Sequence, residues 1–312
     1  MKIPWEFRGQ MPILPTAIHP DGALDLKSLN NVVDYCMENK AAAVGHLGGA
    51  SEYHKVGAKQ REQIISAVVE RVNGRAPVFV GITDLSLVDS LENARIAHKL
   101  GADLLMVCSP IAGAMRKESL FNYYQAVSDV CDLPIIIQDT GASSACYDAE
   151  FIIRLGESIP NCLYAKAEGE GFLEKTQALM ARMGGKMQII GGAAGFHMIQ
   201  LLRLGVTAFM TGTEAAEIHN DVILRYLRGD IDSAIDVYYT QLLPYLELFH
   251  LDWRYFLKHM LWKRGLIANT ELLFPRETPA PSPLLIAEFD YIWERIAQGR
   301  IKEKKIRETN HE

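Results

Sequence analysis

"APVFVGITDLSLVDSLENARIAHKLGADLLMVCS", residues 76–109, carries two short apolar runs, APVFVGI (76–82) and DLLMVCS (103–109), around a segment whose apolar residues recur at helical spacing. A strand, a helix and a second strand in that order bring the two strands parallel, because the chain must cross back before the second begins. The pattern repeats outward in both directions. Upstream lie MPILPTAI (11–18) and AAAVGHLG (41–48). Downstream lie LPIIIQD (133–139), CLYAKA (162–167), KMQIIGG (186–192) and TAFMTG (207–212). Helically spaced segments such as KQREQIISAVVERV (59–72) fall between them. Eight strand–helix repeats in about 250 residues or fewer predict a closed (β/α)8 TIM barrel rather than an open doubly wound sheet. The strand runs are mostly apolar without a polar alternation, and read as buried on both faces.

After about residue 228 the rhythm stops. Residues 1–228 are read as the barrel carrying the active site, and 229–312 as a C-terminal helical subdomain packed on the barrel or on a neighbouring subunit. Its helical spacing places Trp253, Trp262 and Trp293 in core or interface rather than around a ligand.

The charge balance of 32 Lys and Arg against 38 Asp and Glu gives −6, which offers no general attraction to nucleic acid or an anionic membrane. The basic run RIKEKKIRE (300–308) is interrupted by glutamates and reads as a solvated helix or tail. No apolar run is long enough to cross a bilayer, and MKIPWEFRGQMPILP (1–15) breaks the clean apolar stretch a signal peptide needs. The five cysteines, at 36, 108, 131, 146 and 162, include no C-x-x-C pair; this argues against a disulfide framework or a zinc site and favours a reducing compartment. A cytoplasmic protein is expected.

Within NCLYAKAEGEG (161–171) a lysine stands among residues suited to a protein interior. Strand alternation puts Cys162, Tyr164, Lys166 and Glu168 on one face, directed into the barrel, and Leu163, Ala165 and Ala167 on the other. Lys166 then stands near the carboxyl end of the sixth strand, where barrel enzymes build their sites. Two readings are open. Lys166 pairs with Glu168 as a structural charge, or it is a Schiff-base lysine whose amine, in an apolar pocket, is partly neutral and condenses with a ketone. The second chemistry requires no metal or organic cofactor. Tyr164, deeper on the same face, is expected to pack the barrel.

HPDGALD (19–25), GGASE (48–52), the strand ending over Pro134–Asp139 and YAKAEGE (164–170) stand in the order and spacing of the dihydrodipicolinate synthase / N-acetylneuraminate lyase family. The chain resembles that family over nearly its whole length. The resemblance implies a class I, pyruvate-dependent aldolase or lyase on a (β/α)8 barrel with a C-terminal helical extension, assembled as a homotetramer or homodimer. It also implies a Schiff base between Lys166 and pyruvate or another 2-oxo acid, with Gly192 and Met210 lining the pocket at the barrel mouth.

Departures from the family pattern narrow the expectation. Where the family usually reads G-T-T-G-E, with two threonines and backbone N–H groups on the pyruvate carboxylate, this chain has Gly48, Gly49, Ala50, Ser51 and Glu52. The backbone donors at Gly49 and Ala50 remain for a carboxylate. The family typically ends its fifth strand Tyr-Asn, the tyrosine relaying protons. Gln138 and Asp139 stand here, and an amide is no general acid or base near neutral pH. TGASSA (140–145) lacks the arginine that dihydrodipicolinate synthases use for a second carboxylate, and SPIAG (109–113) lacks the tyrosines that often follow the fourth strand. A working dihydrodipicolinate synthase is therefore not expected. Glu168, about 7 Å from Lys166 along the backbone, is expected to take over proton transfer; its other open role is to neutralise Lys166.

IIGGAAG (189–195) and MTGTEAAE (210–217) are read as tight strand-to-helix turns with Thr213 and Glu214 as helix caps, the alternative being a phosphate cradle. His46 is read as either scaffold or substrate contact, and Asp84 as a cap of the following helix in preference to a group that orients a polar substrate. The expected function is a lyase acting on a sugar-derived 2-oxo acid through an imine at Lys166, by retro-aldol cleavage or, as the nearest rival, dehydration. A non-catalytic 2-oxo-acid sensor and a phosphate- or flavin-binding barrel are the alternatives from other classes.

Overall fold

The structure, a computed structural model, describes residues 2–110, 115–140, 147–169 and 171–309, with side chains as far as Arg300. TGASSA and SPIAG lie largely outside the described residues, as does Glu170. Eight strands, β1 (Gly9–Gln10), β2 (Val44–His46), β3 (Val78–Gly81), β4 (Leu104–Val107), β5 (Ile135–Gln138), β6 (Cys162–Ala167), β7 (Gln188–Gly191) and β8 (Ala208–Phe209), pair in parallel in the order β1-β8-β7-β6-β5-β4-β3-β2. A bridge between Ile13 and Gly45 joins the two ends of that sheet and closes the barrel. Across the same seam Leu14 N donates to Gly45 O at 2.7 Å and Gly45 N to Pro12 O at 3.0 Å.

The helices α1 (Leu26–Glu38), α2 (Ala58–Val72), α3 (Leu87–Lys99), α4 (Lys117–Val130), α5 (Ala149–Ser158), α6 (Phe172–Met183), α7 (Met198–Arg203) and α8 (Ala216–Leu227) alternate with the strands. The first strand is shorter than MPILPTAI suggests. Pro12 and Pro15 have no N–H for a ladder, so that run continues through single bridges at Ile13 and Ile18. Asp25 accepts from Ser28 N at the start of α1, and Asp148 does the same from Phe151 N for α5. The cap of α3 is Ser86, not Asp84; Asp84 instead accepts from Leu85 N at 2.7 Å and faces Arg61 at 3.6 Å.

One apolar cluster fills the barrel, with Met11, Phe79, Leu104, Met106, Ile136 and Ile190 among its members. A second, larger one lies outside, where the helices cover the sheet. Gly45 faces inward, and a Cβ there would stand 2.1 Å from the Phe79 ring, so the glycine makes room for that ring in the interior.

In β6 the expected alternation fails at one end. Ile135 pairs with Cys162 and Ile136 with Tyr164, leaving Leu163 as an extra residue. Leu163 and Tyr164 therefore both belong to the interior cluster, and Cys162 packs outside with Ala165 and Ala167. Beyond the bulge the phase is the expected one, with Lys166 inward.

Past α8 come α9 (Ile231–Val237), α10 (Leu243–Phe249), α11 (Trp253–Lys263) and α12 (Pro283–Thr309). Pro244 cannot donate to the preceding turn, and the chain widens to a π-turn over Tyr238–Leu242 just before it. Phe289 of α12 stacks on Phe256 of α11 at 4.1 Å and meets Tyr245 of α10 at 5.6 Å, which ties the last helices together. Among the described residues no helix is long and apolar enough to cross a membrane.

Candidate active site

Lys166 is the penultimate residue of β6, in register with Gln138 of β5 on one side and Ile190 of β7 on the other. Its side chain is only 7% exposed. Such an ammonium needs a counter-charge, and Glu168 supplies it: Glu168 Oε2 lies 2.9 Å from Lys166 Nζ. The other carboxylate oxygen accepts the Ala193 N–H at 2.6 Å. Glu168 stands one residue past the strand, and Gly169 and Gly171 behind it take positive φ values of 75° and 62°, which turn the chain away.

Behind the pair lies a second ion pair. Lys175, in the first turn of α6, bonds the carboxylate of Asp139 and donates to the backbone carbonyl of Glu168 at 2.6 Å. Burial pushes the Asp139 carboxyl up to about 6 against the opposing pull of Lys175.

Above Lys166 opens a cavity of about 350 Å³. Its floor is made by Gln138, Lys166, Glu168, Met210 and Thr211 at the carboxyl ends of strands, and one wall by Gly49 and Ala50. These two residues open a single 3-10 turn, Gly49–Ser51, so their N–H groups have no acceptor within it. The Ser51 hydroxyl does not replace the family's threonines. It donates to Leu14 O at 2.6 Å and accepts from Gly48 N at 3.3 Å, outside the cavity. Glu52 is likewise structural, held by Lys55 at 2.9 Å and by Leu273 N at 3.1 Å.

Of the residues singled out in the sequence, Lys166, Glu168, Gln138, Gly49, Ala50 and Met210 converge on this cavity. Gly192 is not among its lining residues. It lies against Glu168 instead, and a Cβ there would stand 2.5 Å from the carboxylate oxygen. Trp253, expected in core or interface, lines the cavity together with Phe196, Phe249, His250 and Leu257. The C-terminal helices thus roof the site, a long-range arrangement that helical periodicity does not encode. Trp293 packs against Tyr245 at 5.9 Å, and Trp262 is 48% exposed.

The remaining candidates fall outside the cavity. His46 points to the outer side of β2, where Nδ1 accepts from Leu47 N at 2.7 Å, and burial pushes its pKa down to about 3. It is scaffold. Tyr164 plugs the barrel below Lys166, its hydroxyl donating to Trp5 O at 2.9 Å. The position before α8 is Ala215, so neither Thr213 nor Glu214 caps it; Glu214 is fully buried and accepts from the Tyr245 hydroxyl at 3.0 Å. The turn after β7 is no open phosphate cradle, because Glu168 already occupies the Ala193 N–H. Among the described residues a single His–Cys–Asp trio, His98, Cys131 and Asp132, brings potential ligand atoms within 4.8 Å, at the far ends of α3 and α4 and away from the cavity.

Residues 6–279 match the model of the dihydrodipicolinate synthetase family. The L-2-keto-3-deoxyarabonate dehydratase of Azospirillum brasilense is 30% identical over 73% of this chain and 75% of its own length. The 4-hydroxy-tetrahydrodipicolinate synthase of Pelobacter propionicus is 28% identical over 73% of this chain and 78% of its own. In fold, the 4-hydroxy-tetrahydrodipicolinate synthase of Methylacidiphilum fumariolicum superposes with a TM-score of 0.88 at 19% identity, over 96% of this chain and 99% of its own. A prophage protein of the same family from E. coli K12, solved in complex with pyruvate, gives a TM-score of 0.85 at 20% identity, over 93% and 99%. The strand-end lysine, the eightfold barrel around it and the match across residues 6–279 lead to one conclusion: the chain is an enzyme belonging to the dihydrodipicolinate synthetase family of lyases.

Proposed function

We propose that the protein is a class I lyase that binds a 2-oxo acid as an imine on Lys166. The observation that carries this reading is the 2.9 Å contact between Lys166 Nζ and Glu168 Oε2 on the floor of a cavity walled by free backbone donors. Glu168 takes a proton from the ammonium, and the neutral amine attacks the C2 carbonyl. The proton then returns to the departing hydroxyl, so that ammonium and ketone become iminium and water. The iminium draws electrons from C3, and Glu168 is the base placed to remove the C3 proton. The N–H groups of Gly49 and Ala50 receive the substrate carboxylate. Gln138 supports this chemistry by orienting the substrate and moves no proton.

The bond broken next distinguishes two readings. In retro-aldol cleavage the C4 hydroxyl loses its proton and the C3–C4 bond breaks. In dehydration the C3 proton is removed and the C4 hydroxyl leaves as water. The likeness to a dehydratase of a 2-keto-3-deoxy sugar acid favours the second, with a sugar-derived acid as substrate. Reactive residues from 1–228 and a roof from 229–312 fit the two-part division of the chain. The exposed apolar side chains Leu85, Leu87 and Val88 after β3 support a homo-oligomer, a homotetramer or homodimer, which light scattering tests. Cys36, Cys108, Cys131 and Cys162 are free thiols, which supports a reducing, cytoplasmic setting.

Borohydride trapping with pyruvate and a panel of 2-oxo acids tests the imine. A reduced adduct on Lys166, absent in Lys166→Ala, is expected; a folded protein that traps none of them overturns the reading. Proton NMR of the products then separates loss of water from release of pyruvate.

A further inference from the structure

Asp139 and Lys175 touch neither the cavity nor the reacting atoms, yet they form a buried ion pair directly behind Glu168, their side chains 1% and 8% exposed. Two charges taken out of water are expensive, and a packed apolar pair commonly holds a core as well. Stability alone therefore explains this pair poorly. What an apolar pair lacks is the bond from Lys175 Nζ to the backbone carbonyl of Glu168, at 2.6 Å. That carbonyl lies past the end of β6, where the strand ladder has stopped, and the next described residues are glycines with positive φ. Asp139 directly follows β5 and fixes Lys175 from the neighbouring strand. The Glu168 backbone N–H also faces the Asp139 carboxylate and, with Lys175, favours its ionised form.

We infer that Asp139 and Lys175 are positioning residues, a brace from the end of β5 to the first turn of α6 that holds the Glu168 backbone so that its carboxylate meets Lys166. The inference rests on the imine reading above. It accounts for an aspartate next to Gln138, and for a proton-transfer group that works from a turn rather than from a strand. The carboxylate is held from the front by Lys166 Nζ and Ala193 N, and its backbone from behind by Lys175.

The test uses pyruvate as the probe, in deuterated water. Imine formation and removal of a C3 proton by Glu168 exchange the methyl protons of pyruvate for deuterium, with no other reactant, and proton NMR reads the rate. Asp139→Asn and Lys175→Met singly each leave one buried charge unpaired and lower the melting temperature. Together they remove both charges and recover most of that loss. In the folded double variant the maximal exchange rate is expected to fall about 10- to 100-fold. The pyruvate concentration at half-maximal rate should stay within about threefold, and borohydride should still trap the adduct on Lys166. Asp139→Asn with Lys175→Gln, neutral but still able to donate to the Glu168 carbonyl, regains most of the rate.

A double variant with Met that recovers melting temperature and exchange together overturns the brace and leaves the imine reading intact. Two wild-type results discriminate further. An adduct without exchange also overturns the brace, because Glu168 would then move no proton. The absence of any adduct removes the imine reading itself.

Discussion

Gly192 and Glu168 compete for one volume: a Cβ at position 192 would stand 2.3 Å from Glu168 Cγ and 2.5 Å from its carboxyl carbon. The glycine is there so that the carboxylate can lie across the turn after β7. Gly192→Ala is expected to push Glu168 off Lys166 and cut turnover about 100-fold. The melting temperature should hold, because Glu168, 17% exposed, has room to swing toward the cavity. Pyruvate deuterium exchange and thermal melting check the two halves; an alanine variant with wild-type exchange would refute the placement of Glu168.

The roof is separable from the reaction. Trp253 lies 3.7 Å from where a Gly49 Cβ would be, over the turn assigned to the substrate carboxylate, and the Arg254 guanidinium sits 4.3 Å from its ring. Trp253→Ala is expected to raise the concentration of 2-oxo acid needed for half-maximal trapping about tenfold while the saturating rate of exchange changes little. A collapse of the saturating rate at unchanged half-maximal concentration would place Trp253 in the chemistry.

Substrate charge follows from the lining. Among the described lining residues Lys166 is the only lysine or arginine, and the proposed imine would consume it. A second carboxylate would enter the cavity without a counter-ion and beside Glu168. 2-Oxoglutarate is therefore expected to trap on Lys166 at least about tenfold less efficiently than pyruvate. Equal trapping of both acids would contradict this account of the pocket.

Glu214 and His46 contribute to the pH dependence of stability with opposite signs. Burial raises the Glu214 carboxyl from 4.5 to about 7, so the folded chain holds that proton more tightly than the unfolded one. Stability therefore falls as pH rises between those two values, and the penalty is complete above the higher one. His46 behaves oppositely: its folded pKa drops from 6.5 to about 3, and stability falls as pH is lowered through that window. Glu214→Gln should remove the fall that Glu214 contributes between 4.5 and about 7, raise the melting temperature at about pH 8 and leave it unchanged at about pH 4. Thermal melts across the range check it; an unchanged fall over that window would mean that Glu214 is already ionised in the fold.

Helix capping gives a local check on the fold. Asp25 accepts from Ser28 N at 3.0 Å and from the Ser28 hydroxyl at 2.6 Å, and is buried. Asp25→Ala is expected to cost about 1–2 kcal/mol, measured by urea unfolding, with the efficiency of imine trapping unchanged.

The barrel is legible in the sequence because its strands are two-sided. A run such as LPIIIQD is apolar from Leu133 to Ile137, with no alternation, and is flanked by helical spacing; β5 falls within it as Ile135–Gln138. Lys166 stands out for the same reason, as a charge in such a run. What differs from the sequence expectation depends on contacts that no local pattern carries. The bulge at Leu163 reverses Cys162 and is set by pairing with β5. Trp253 has ordinary helical spacing, and only the docking of α11 over the barrel turns it toward the cavity. Lys175 reads as one more polar residue of α6, although its partner Asp139 carried a signal, being an acid immediately after an apolar strand.

The barrel and its roof also have a bearing on how such an enzyme diversifies. The floor of the cavity, from Ile13 to Gly212, and the C-terminal part of its cover, from Phe249 to Leu257, are encoded in separate stretches of the gene. Recombination downstream of the last strand would therefore exchange that part of the cover while leaving Lys166, Glu168 and Gly192 untouched. On the proposed chemistry, selectivity is then heritable as a cassette: a descendant with new helices would meet new substrates with the old reaction.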